Sequence, residues 1–118
     1  MEKSAPENEM KVERNEQRIL TIAQDAIAFL HFPKQEVLRL RQELKNRAVV
    51  LNYLMSQLNA GVLHVSILFE DIAGAKKVNA TVKAVREKEV ILHPQMSIPI
   101  HRITRIEVIE KQTRNQVN

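Results

Sequence analysis

Cysteine is missing from this chain, which excludes disulfides and thiolate metal sites and fits a reducing compartment. Glycine occurs only twice, so there is no glycine-rich loop to cradle a phosphate. Tryptophan is absent and aromatics make up 3% of residues, so the core has to be built from Ile, Leu, Val and Ala. Nowhere do about 18 apolar residues run together, as a membrane-spanning helix requires. The opening stretch is acidic, contains Pro6 and has no apolar run, unlike a secretory signal. These absences predict a cytoplasmic protein with no membrane role.

What is present suits one small domain. The 118 residues are 44% apolar and 27% charged, enough to bury a respectable core. The formal charge of +4 is uneven: residues 1–16 carry five Glu against two Lys and one Arg, a net −2, which leaves +6 elsewhere. A basic body invites polyanions such as nucleic acid; an ordinary solvated surface accounts for the same charge.

Residues 1–13 read as a flexible arm, with Asn15 placed to cap a first helix. Ile19, Ile22, Ala23, Ala26 and Leu30 then recur at helical steps, Leu20 and Ile27 widen the stripe, Phe29 and Phe32 add bulk, and Pro33 stops it. A second helix is predicted from roughly Lys34 to Asn59. Its apolar seam (Val37, Leu40, Leu44, Ala48, Leu51, Met55, Leu58) steps 3-4-4-3-4-3, and Gly61 ends it. Glu43 is spaced to pair with Arg39 and Arg47. Such a helix would be about 38 Å long, so its first half needs a partner: the preceding helix folded back, or a second copy of the chain.

From residue 62 the period changes to two. Val65, Ile67 and Phe69 share a face; Gly74 marks a turn; Val78, Ala80, Val82 and Ala84 alternate with Asn79, Thr81, Lys83 and Val85. Val90-Ile91-Leu92 is a third run, Ile98 and Ile100 a fourth with Pro99 confined to an edge, and Ile106 and Val108 belong to a last strand. Five short strands favour closure into a small barrel, which removes sheet edges.

The order of a helix, then Val65-Ser66-Ile67-Leu68-Phe69, then the long bent strand Val78–Val85, then Val90-Ile91-Leu92 and a short final strand, resembles Sm-like barrels, the Hfq family in particular. His101-Arg102-Ile103 falls where that family has a His followed two residues later by Ile, while Pro99 and Ile100 stand where it has an aromatic and a Lys. The plan is also similar to that of YolD-like bacterial proteins. The resemblance covers roughly the last half of the chain and implies an SH3-like or Sm-like barrel in a bacterial protein. The expected fold is therefore α+β: a helical hairpin or long helix over 14–61, a five-stranded antiparallel barrel over 62–110, and a flexible tail over 111–118.

The chemistry-bearing residues form no catalytic pattern. His31, His64, His93 and His101 have no metal-ligand spacing, and Ser4, Ser56, Ser66 and Ser97 lie in no nucleophile context. Neither a metal nor a cofactor is expected, nor an enzyme. A nucleic-acid surface would use Lys76, Lys77, Lys83, Arg86 and Lys88 on the second strand and its turns, with His101, Arg102 and Arg105 on the closing strands. The expectation is a non-catalytic nucleic-acid-binding protein, RNA favoured, acting as a homo-oligomer. The competing expectation is a protein-interaction or scaffold module that dimerises through Val37, Leu40, Leu44, Leu51, Met55 and Leu58.

Overall fold

A computed structural model describes residues 19–113. The expected arm, the Asn15 cap and the last five residues of the tail lie outside that range. Six strands are present: β1 (Leu20–Thr21), β2 (Gly61–Asp71), β3 (Gly74–Val85), β4 (Glu89–Leu92), β5 (Ser97–Pro99) and β6 (Ile103–Thr113). Among the described residues a single α-helix, α1 (Arg41–Gln57), precedes the long strands, and short 3-10 turns occupy Gln24–Phe29 and Ile100–Arg102.

The strands form one sheet in the order β5-β4-β3-β2-β6, antiparallel along that path, with β1 added parallel to β3. Its centre is the β2–β3 hairpin, paired from Leu63↔Val82 to Asp71↔Gly74. Only Ile72 and Ala73 separate the strands, and Gly74 takes φ +136°, a backbone angle that a side chain strains. The far edge of β3 is shared: β1 takes Lys76 and Lys77, and β4 takes Val82 to Val85.

Period-two alternation sorts the two faces as the sequence predicts. Leu63, Val65, Ile67 and Phe69 of β2 are fully buried, as are Val78, Val90, Leu92, Ile98 and Ile103 from the other strands. Each such side chain contributes roughly 1.5–3 kcal/mol by leaving water. Leu51 and Leu54 of α1 and Ile27 of the first 3-10 turn cap this face, and the Phe32 ring meets Phe69 at 5.9 Å between centroids.

Two expectations fail. The sheet is open and does not close into a barrel: β5 and β6 are the two ends of the path, and no ladder joins them. β5 has three residues and ends at Pro99, which has no N–H to donate, and the Ile100–Arg102 turn then carries the chain into β6. The N-terminal helical hairpin is also absent among the described residues. Leu20 and Thr21 pair with Lys76 and Lys77, and the Ile22 N–H donates to the Lys77 carbonyl at 2.8 Å. An exposed strand edge thus supplies hydrogen bonds to a segment in which Thr21 and Ile22 are β-branched residues of modest helix propensity.

The remaining helix starts seven residues later than predicted because residues 33–37 form an irregular, bent strap bonded to the second 3-10 turn. Straight-chain formers without Gly or Pro sustain α1 as far as Gln57. Gly61 does not end it in a left-handed conformation; it opens β2, paired with Thr113. β6 runs three residues beyond the expected end of the strand region, to Thr113.

Candidate nucleic-acid interface

The eight residues proposed from the sequence separate into two groups. Arg102 is 8% exposed and is a structural tie: its Nε–H donates to the Glu70 carbonyl at 2.9 Å and Nη1–H to the Gln35 carbonyl at 2.8 Å. His101 joins the same strap, with Nε2 2.9 Å from the Pro33 carbonyl oxygen and its own carbonyl accepting the Val37 N–H at 2.8 Å. Lys76 is spent on Asp71, Nζ to Oδ1 at 2.8 Å, with both side chains largely withdrawn from water. Arg105 pairs with Glu107 on the exposed face of β6, 2.8 Å apart.

The second group is Lys77, Lys83, Arg86 and Lys88. Among the described residues none of the four has a carboxylate within ion-pair distance. Lys77 and Lys83 project from the outer face of β3, alternating with the buried Val78 and Val82, and Asn79 and Thr81 lie between them. Arg86 and Lys88 occupy the β3–β4 turn, which the Arg86 N–H closes on the Glu89 carbonyl at 2.8 Å. The four cations therefore follow one strand and the turn at its end. Beside them His64 Nδ1 lies 2.9 Å from the Thr81 hydroxyl, and the Ser66 hydroxyl is buried without a hydrogen-bond partner among the described residues. A groove of about 370 Å³ next to Lys77 is lined by Ile19, Thr21, Leu68, Arg105 and Glu107.

A second cleft, about 650 Å³, collects Lys34, Arg47 and Lys88 but also Glu36, Glu87 and Glu89, so its charges balance. Here lies a tie that the sequence did not signal. Arg47 pairs not with Glu43 four residues earlier but with Glu36, in a two-pronged contact at 2.7 and 2.8 Å, and it also donates to the Ile103 carbonyl at 2.9 Å. The contact joins the strap, α1 and β6. Burial works to raise the Glu36 pKa, but the hydrogen bonds from Arg47 and the Leu38 N–H, with the charges of Arg47 and His101, outweigh it and hold the carboxyl below its ordinary value. A carboxylate lowered on folding stabilises above its unfolded pKa and loses that contribution as pH falls through the folded one. Acid unfolding of Glu36→Gln should therefore show a flatter loss of stability below about pH 4.3 than the wild type, read by far-UV circular dichroism.

The expected oligomer seam is divided. Leu51 is buried on the sheet, Leu44, Leu58 and Val37 are half-buried, and Leu40 and Met55 are exposed. The stripe that α1 turns inward is Arg47, Val50, Leu51, Leu54 and Leu58, and Val49 and Tyr53 face outward. Among the described residues no three His, Asp or Glu gather in metal-binding geometry, and no helix is long and apolar enough to cross a membrane. The chain matches no family model, no curated protein and no solved structure.

Proposed function

We propose that this chain is a non-catalytic nucleic-acid-binding protein, with RNA the favoured ligand, that engages the phosphate backbone through Lys77, Lys83, Arg86 and Lys88. The observation carrying this reading is that these four cations share β3 and its turn, and among the described residues none of them is held in an ion pair. Phosphate contacts of this kind give affinity without sequence readout. Phe69 is buried and Phe32 packs on it, so neither of these two rings is available to a base. Asn79, Thr81 and His64 supply polar groups beside the cations, suited to phosphate and ribose hydroxyls.

The test is fluorescence anisotropy with a generic single-stranded RNA at about 50 mM salt, the lower end of the range over which phosphate contacts respond strongly. Replacing Lys77, Lys83, Arg86 and Lys88 together by alanine should weaken binding about 100-fold, consistent with the loss of several phosphate contacts, and leave the circular dichroism spectrum unchanged. Equal binding by the folded variant would overturn the assignment. A protein-docking role is the second reading, favoured by Val49 and Tyr53 standing four residues apart on the outward face of α1, 66% and 44% exposed. It expects no RNA binding even at low salt.

A further inference from the structure

The two ends of the open sheet differ. β5 is three residues long and finishes at Pro99, a poor template for another strand. β6 is eleven residues long and, among the described residues, pairs on one side only, with β2. Its orientation follows from the hydrogen bonds. The Lys77 carbonyl accepts the Ile22 N–H, so Lys77 turns its main-chain polar groups toward β1 and away from β2. Leu68, opposite Lys77, must then turn its own toward β6, and Arg105 and Glu107 answer from β6, opposite Leu68 and Ser66. The alternate residues Ile106 and Val108 therefore point their N–H and C=O groups outward, where they meet no partner among the described residues.

We propose that this edge pairs with the same edge of a second copy, antiparallel about a two-fold axis through Ile106. The inference uses a surface apart from the β3 cations and does not depend on the RNA reading. Charge selects the register. Across such a ladder an outward-pointing residue lies opposite another outward-pointing one, so Ile106 or Val108 lies opposite Ile106 or Val108. Centring on Val108 puts Arg105 opposite Lys111, and centring on Glu107 puts two carboxylates face to face. Centring on Ile106 instead places Arg105 opposite the partner's Glu107, twice by symmetry. Both side chains are exposed and already on one face.

The same register brings Val108, 37% exposed, opposite Thr104 of the other copy. Thr104 borders a groove of about 390 Å³ between α1 and β6, lined also by Val50 and Ile106 and by the polar Glu43, Asn46, Arg47 and Arg105. An apolar side chain on each copy thus meets a recess on the other.

Sedimentation equilibrium of the full chain at about 100 μM should give twice the 13.6 kDa chain mass; that concentration lies well above the micromolar dissociation constants of ordinary weak complexes. Arg105→Glu and Glu107→Arg should each halve the mass, by facing like charges across the axis. The double variant R105E/E107R should restore it, since exchange keeps the pairing complementary. Amide exchange supplies a reading that does not depend on variants: the Val108 N–H should be protected in the wild type and exchange fast on dilution. A wild type of single-chain mass, an assembly larger than two, or single variants that keep the doubled mass would each overturn the proposal.

Discussion

Replacing Arg102 by alanine should destabilise the protein by about 3 kcal/mol, because it strips two partly buried carbonyls of charge-assisted partners. Urea unfolding followed by circular dichroism measures this directly. The carbonyls belong to Glu70, at the end of β2, and Gln35, in the strap ahead of α1. Arg102→Lys should recover little, since one ammonium cannot reproduce the planar fork that reaches both. Where the folded fraction of either variant is compared at equal concentration, the RNA affinity proposed for the β3 cations should be unchanged. Arg102 acts on the fold; Lys77, Lys83, Arg86 and Lys88 act on the ligand.

The second large effect is at Phe69. Alanine there should cost about 3–5 kcal/mol, the usual range for removing a buried aromatic and leaving a cavity. Phe69 is fully buried, sits opposite both Lys76 and Ile103 in the sheet, and receives the Phe32 ring from the segment that precedes the strap. Loss of its ring removes one of the contacts that seat residues 30–38 on the sheet. Chemical denaturation should show the midpoint falling with little change in the slope, as expected when stability and not the unfolded surface changes. Phe69→Leu should recover most of the loss, since it retains apolar volume in the same place.

The strands were legible because alternation is a local signal. Val65, Ile67 and Phe69 on one side of β2, and Val78 and Val82 on one side of β3, are buried as their spacing implies. The stretch from Ile19 to Leu30 was misread for an equally physical reason. Its three- and four-residue steps fit a helix, but the free edge of β3 at Lys76 and Lys77 captured Leu20 and Thr21, and local spacing carries no information about that edge. That the sheet stays open was likewise invisible, because it depends on where a three-residue strand ending in proline sends the chain.

The helix seam was shifted by about one residue step. Val50, Leu51, Leu54 and Met55 are all apolar, so two overlapping stripes fit the same sequence, and the sheet selected the one containing Leu54. The cations could not be sorted from sequence, since Arg102 finds its carbonyls 32 and 67 residues away. Nor could the Arg47–Glu36 pair, which competes with the nearer Glu43 and wins because the strap brings Glu36 against α1 and β6.

The salt dependence of RNA binding is the most direct test of the proposed role. With four cations meeting phosphates, the logarithm of the binding constant should fall with the logarithm of salt concentration with a slope near −3, using about 0.7 per contact for a single strand. Measured between about 50 and 200 mM salt, a slope near −3 that flattens in the fourfold alanine variant agrees with phosphate contact through β3 and its turn. A slope near zero, or one the variant leaves unchanged, would contradict it.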